Sequence, residues 1–180
     1  MKKLLLTLPL ALFILADASN VRAQDGFFSN AQTFQEGTLA IGLQPVMLTA
    51  QDDFMFIGRA SYGLTNGLTS HFKVGFQGDQ TYVGAHFEGN LASEPQSGLS
   101  VALLGGVYSY EDVGLKAGLN ISKNFHPVSI YTGLNYQPLF VSNDTIHSWL
   151  VPVGMDVHVK RGTLDLMLEA VTFGARIYLN

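Results

Sequence analysis

An all-β fold, an antiparallel up-and-down barrel of about ten strands, is what this sequence predicts. Three observations predict it. After residue 36, apolar residues alternate with polar ones in runs of roughly ten residues. Each run stops at a turn signal such as Asn66-Gly67 or Gly78-Asp79. One face of every run is apolar and free of charge, while the other collects glycine and charge.

The elements follow in chain order. Residues 1–23 read as a signal peptide. Lys2 and Lys3 give a positive start, and LLLTLPLALFILA (4–16) is apolar but too short for a comfortable membrane span. Val21-Arg22-Ala23 offers small residues for cleavage after Ala23, with cleavage after Ala18 as the alternative. Residues 24–36 are a polar lead, expected on the periplasmic side. Residues 37–180 are the barrel. Strands are expected near 37–48, 54–63, 68–77, 80–91, 98–108, 113–122, 128–136 and 148–159. The final stretch, TLDLMLEAVTFGARIYLN, is too long for one strand, and its alternation changes phase. Leu164, Leu166 and Leu168 are apolar at even positions; Val171, Phe173, Ala175, Ile177 and Leu179 are apolar at odd ones. A tight hairpin near Glu169-Ala170 explains the switch and gives ten strands. A bulge there would give nine, and eight is the smaller alternative.

Composition narrows the class. The chain has 180 residues, 47% of them hydrophobic and only 13% charged, against roughly 25% charged in an ordinary soluble domain. The absence of cysteine excludes disulfides, thiolate metal sites, cysteine nucleophiles and a lipid-modified cysteine. Cleavage after Ala23 removes three of the 10 Lys+Arg and one of the 14 Asp+Glu, leaving a net charge of −6. No basic patch remains, so nucleic acid is not an expected partner.

Strand alternation decides which way each charge points. In VGLKAGLNI, Val113, Leu115, Ala117, Leu119 and Ile121 share one face, and Gly114, Lys116, Gly118 and Asn120 share the other. In 68–77, Phe72, Val74 and Phe76 face opposite to His71, Lys73 and Gln77. With few charges and 19 glycines, the polar face fits a crowded interior, and the apolar face fits lipid around a transmembrane barrel. A lysine on the lipid side would cost about 2–4 kcal/mol at the midplane. The same rule places a candidate ionic cluster in the lumen: Arg59, Lys73, Glu88, Lys116, Asp156 and Arg176, with Asp165 and Glu169 near the final hairpin. Cations and anions in equal number predict a charge-balanced, largely filled lumen rather than a charge-selective pore.

Turn chemistry orients the barrel. Asn66-Gly67 suits a short periplasmic turn, which puts 93–97, 123–127 and 160–162 at the same end. The external loops are then 49–53, 78–79, 109–112, 138–147 and the final hairpin. They carry Asp52, Asp53, Asp79, Glu111, Asp112 and Asp144, and no Lys or Arg. The longest, within YQPLFVSNDTIHSW, is expected outside. Acidic loops of this kind suggest bridging to lipopolysaccharide through divalent cations.

Motifs for chemistry are absent. There is no phosphate-binding glycine loop, no GxSxG and no HExxH. His71, His86 and His158 share the lumen face, so a metal site among them is conceivable, but polar filling is the expected role. No catalytic, cofactor or metal residue is assigned.

The runs YGLTNGLTSHFKVGF, GDQTYVGAHFEG, VGLKAGLNIS and VSIYTGLNYQP resemble small bacterial outer-membrane β-barrel proteins, over about residues 37–180. The resemblance implies an outer-membrane location, insertion by the barrel-assembly machinery, and contact with outer-membrane lipid and lipopolysaccharide. It implies no assigned activity. Two looser likenesses are to outer-membrane enzymes: Asp52-Asp53 with Asp144 and His147 is similar to the acid–histidine pairing of omptin proteases, and His147-Ser148 to lipid A acyltransferases and deacylases. The expected function is structural or adhesive, without catalysis. A narrow pore for small solutes and a soluble periplasmic barrel holding an apolar ligand are the alternatives.

Overall fold

The computed structural model describes residues 30–48, 53–142, 144–160, 164–169 and 172–179. For 47–48, 53–54, 160, 167–169 and 172–179 it describes the backbone alone. The expected signal peptide, the first part of the expected lead, Asp52 and the expected turn at 161–163 fall outside these residues.

The described chain is a succession of antiparallel strands: β1 (Leu39–Leu48), β2 (Asp53–Thr65), β3 (Leu68–Gln77), β4 (Gln80–Ala92), β5 (Ser100–Tyr110), β6 (Asp112–Asn124), β7 (Val128–Val141), β8 (Asp144–Leu150), β9 (Val153–Lys160), β10 (Leu164–Glu169) and β11 (Thr172–Leu179). Each strand pairs with the next from β1 to β7. β7 pairs with β9, β9 with β10, β10 with β11, and β11 returns to β1. The sheet therefore closes on itself as a barrel, which removes free edges from the ring.

The ring has ten strand positions, because β8 and β9 are two halves of one. The first half of β7, Val128 to Thr132, pairs with β9, and the second half, Asn135 to Val141, pairs with β8. Between them lies Val151-Pro152. Proline has no N–H to give to a ladder, so the strand breaks there. The final hairpin is as expected: Glu169 pairs with Thr172, and Leu164 with Ile177.

Two sequence expectations are corrected. The long external loop at 138–147 does not exist as a loop. Tyr136 pairs with Trp149 and Val141 with Asp144, so this segment is a hairpin; β7 stays paired with β6 up to Phe140, while β8 runs on past the end of β10. The hairpin residues Leu139, Phe140, Val141, Thr145 and Ile146 are β-branched or apolar, and they zip up once the chain reverses near Ser142. The predicted strand 148–159 accordingly starts earlier and is interrupted. The connection from β4 to β5 is also more than a turn: Glu94–Ser97 forms a single helical turn (α1), closed by Gly98 at φ 75°.

Period-two alternation accounts for the walls. Arg59, Ser61, His71, Lys73, His86, Glu88, Lys116, Asn120, Asn135 and Asp156 are buried. Their neighbours Phe72, Phe87, Leu103, Val107, Leu134 and Met155 are exposed. In a closed sheet the buried side of a lone layer is the lumen, so the polar face is inside and the apolar face outside.

Candidate functional site

The lumen is filled in three zones, and each is set by where a strand's inward residues fall along the axis. Call the two rims the Gly78 end and the Asn66 end, after the turns that mark them.

At the Gly78 end the filling is apolar and aromatic. Val46, Met55, Ile57, Tyr82, Tyr108, Tyr110 and Leu139 form one buried cluster. The Tyr82 and Tyr108 rings stack with centroids 6.2 Å apart. The Tyr110 hydroxyl bonds to Gln77 and Gln80, so its polar tip is satisfied. The idea of a polar interior needs amending here. Met55 and Ile57 share parity with Arg59, so the alternation points them inward too.

The middle zone holds most of the predicted ionic cluster. Arg59 on β2 lies opposite Lys73 on β3, and Ser61 opposite His71, which in turn lies opposite His86 on β4. Arg59 Nη2 is 2.9 Å from His71 Nδ1, and its Nε donates to Ser61 Oγ at 3.1 Å. Ser61 Oγ is also 2.8 Å from Nδ1. Guanidinium is a donor only, so Nδ1 carries the lone pair and Nε2 the proton. Nε2 lies 3.3 Å from Glu88 Oε2, within ion-pair distance but not aligned as a hydrogen bond. The His71 and His86 rings stack at 4.5 Å. Opposite His86 stands Gly106, where a Cβ would come within 2.3 Å of the His86 Cβ. Lys116 lies across from that glycine on β6. Lys73, Glu88 and Lys116 each have further interaction partners. Deeper round the ring, Asn135 Nδ2 reaches Asn120 Oδ1 at 3.4 Å.

Asp156 is carried by β9, across the ring from β3, with His158 on the same strand and Asp165 on β10. Asn30 Nδ2 donates to Asp156 Oδ2 at 2.8 Å. His158 Nδ1 is 2.9 Å from Asp165 Oδ1, and its Nε2 is 3.1 Å from Ser129 Oγ. Arg176 is set by its backbone opposite Gly42 on one side and Asp165 on the other; its side chain is outside the described residues, as is that of Glu169. The predicted balance of charge is thus distributed unevenly among the described side chains. Arg59, Lys73 and Lys116 with Glu88 line β2–β6, and Asp156 and Asp165 line β9–β10. His158 is likewise separated from the His71–His86 stack, so the three histidines do not converge.

At the Asn66 end the lead enters the barrel. Residues 30–38 fold back over the rim. The Phe34 N–H donates to Thr69 Oγ1 at 2.8 Å, and the Glu36 N–H to Asn66 Oδ1 at 3.1 Å. Gly37 and Gly63 exchange backbone bonds with this segment: the Gly37 N–H donates to the Gly63 oxygen, and the Gly63 N–H to the Thr38 oxygen, both at 2.9 Å. Ala31 and Phe34 are buried, the Phe34 ring edge-on to His71 at 6.3 Å. A Cβ at Gly63 would fall 2.1 Å from the Gln35 oxygen. Glycine is what lets the segment lie against β2.

Two chains of serine, histidine and carboxylate result, Ser61–His71–Glu88 and Ser129–His158–Asp165. Both hydroxyls are buried, Ser61 at 1% and Ser129 at 0% exposure. The loop residues that resembled enzymes are elsewhere: His147 stands exposed on the β7–β8 hairpin, its Nδ1 2.5 Å from the Tyr136 hydroxyl.

Parity in the sequence would have found Ser61, Ser129, Tyr82 and Tyr108, since each keeps step with an inward charge or glycine. Nothing in the local pattern marks Asn30 or Phe34.

No family model matches this chain, and no curated protein matches it. Among solved structures, one described as "De novo design of transmembrane beta-barrels" is similar over 82% of this chain and 99% of that one, at 16% identity and a TM-score of 0.43. A likeness this loose carries neither function nor location.

Proposed function

We propose that this protein is an outer-membrane β-barrel with a structural role and a closed lumen. One observation carries the reading: the barrel is inverted relative to a soluble one. Its charged strand residues Arg59, Lys73, Glu88, Lys116, Asp156 and Asp165 are inside. Its outer wall presents Ile41, Leu43, Phe56, Phe72, Phe87, Leu103, Leu115, Ile130, Leu134, Met155 and Leu166, from β1 through β7 and on β9 and β10. Soluble monomers rarely expose an apolar patch above a few hundred Å²; a band this wide fits hydrocarbon. Export through the N-terminal signal, insertion by the barrel-assembly machinery, and packing against lipid and lipopolysaccharide are parts of the same proposal.

The closed lumen is supported by its packing. Lys73, Asn120, Asn135, Ser129 and Asp156 are 0% exposed, as in a lumen filled by side chains. That favours a plugged barrel over the narrow pore. The soluble barrel with an apolar ligand needs an apolar cavity, and the middle of this lumen is polar.

The test is fractionation of the expressed protein, with gel mobility in detergent before and after boiling, followed by planar-bilayer recording. The expected result is recovery with the outer membrane, a mobility shift on heating, and no steady conductance. Recovery as a soluble periplasmic protein would overturn the membrane reading. A stable single-channel conductance would overturn the closed lumen.

A further inference from the structure

We propose that Asp156, His158 and Asp165 form a binding site for a divalent transition-metal cation, of the zinc or manganese kind, in the lumen wall near the Asn66 end. The geometry begins with alternation. Asp156 and His158 are two apart on β9 and share its inner face. Asp165 joins them across the ladder, paired with His158 in the register that runs on through Met167↔Asp156 to Glu169↔Gly154. The one-residue slip lies beyond it and displaces Leu164, which pairs with Lys160. Directly opposite residues share a face, so this register sets one carboxylate beside an imidazole and diagonal to a second carboxylate.

The donor atoms converge. One from each residue, the histidine ring nitrogen and two carboxylate oxygens, lie within 4.8 Å of one another. Ligands about 2.1 Å from a metal stand roughly 3 Å apart when adjacent and roughly 4.2 Å when opposed. Movements of up to about 1 Å by the side-chain ends would close the site to such distances. The two carboxylates are buried, Asp156 at 0% and Asp165 at 2%, while the His158 side chain keeps 15% exposure as a way in.

The surroundings suit ligation. Ser129 Oγ holds His158 Nε2 at 3.1 Å, which fixes the ring and leaves Nδ1 for the ion, the usual arrangement around a metal-bound histidine. The Nδ1–Asp165 contact of 2.9 Å is the bond the cation would replace. Asn30, itself buried, donates to Asp156, and turning its carboxamide over would offer an oxygen. An imidazole with two carboxylates favours zinc or manganese over calcium or magnesium, which prefer oxygen alone. The competitor is Arg176, whose backbone lies opposite Asp165.

The experiment is a calorimetric titration of zinc chloride into the full chain, refolded in detergent without a histidine tag. Heat-modifiable mobility reports separately that each variant is a closed barrel. One ion per barrel is expected, with binding weakened at least tenfold in Asp156→Asn, Asp165→Asn and His158→Gln, and unchanged in His71→Gln. Arg176→Gln is expected to tighten it, since a positive charge leaves the facing strand. Absence of zinc binding by the wild-type barrel overturns the site. So does binding that all three ligand variants retain. Should one variant fail to close, the other two still decide the matter.

Discussion

The two ends of the lumen are closed by different means. At the Gly78 end the seal is the barrel itself: Met55, Ile57, Tyr82, Tyr108 and Leu139 come from β2, β4, β5 and β7 and pack as a small core. At the Asn66 end the seal is a separate strap, 30–38, held by Phe34, Asn30 and a few backbone bonds. The first closure cannot be lost without losing the wall. The second can leave while every strand stays paired. A barrel can thus be plugged by its own strands or by a segment outside them, and the energetic consequences differ.

Mutations at the two ends should expose that difference. Tyr82→Ala leaves a cavity in a cluster that cannot move away, and it is expected to cost about 3–5 kcal/mol in urea unfolding of the refolded barrel. An effect below about 1 kcal/mol would mean that the Gly78 end is loosely filled. Phe34→Ala removes a ring of similar size, yet the loss is expected near 2 kcal/mol. The reason is a ceiling: once holding the strap costs more than its docking yields, the strap leaves and the barrel remains. Unfolding midpoints for the two variants, measured side by side, test the comparison directly.

Gly63→Val separates strap from barrel more cleanly. The new side chain would overlap the Gln35 oxygen, 2.1 Å from the Cβ position. The expected outcome is rapid proteolysis within 30–37 with an unchanged heat-modifiable shift; loss of the shift would show that the strap is needed for closure. Asn30→Ala, which removes one side-chain bond to Asp156, is expected to cost about 1 kcal/mol and to speed the same cleavage only slightly. The smallest effect concerns the outside. Trp149 is the one tryptophan of the chain. It is 65% exposed and packs on Tyr136 with ring centroids 4.8 Å apart. Mutation to Phe should barely alter stability, but the wild-type emission should be quenched by lipids brominated near the headgroup, as for an interfacial girdle. Quenching deep in the acyl region instead would place the β7–β8 hairpin inside the bilayer.

By itself the sequence determined what is local. The inward turn of Lys73, the outward turn of Phe72, the turn at Asn66-Gly67 and the reversal after Glu169 all follow from a period of two, which each strand carries in its own residues. Only the tertiary structure decided what depends on distant partners. Ring closure, the gathering of Arg59, Lys73, Glu88 and Lys116 along β2–β6 with Asp156 across the ring from β3, and the extension of β7 and β8 are set by pairing register between strands far apart in the chain. Register is why this was not legible: alternation within a strand fixes which face a residue takes, but it is blind to its neighbour's offset and so to which inward residues meet. The strap was hidden for a related reason. Asn30 and Phe34 belong to no alternating run, and their place in the lumen exists only once the strands have closed around it.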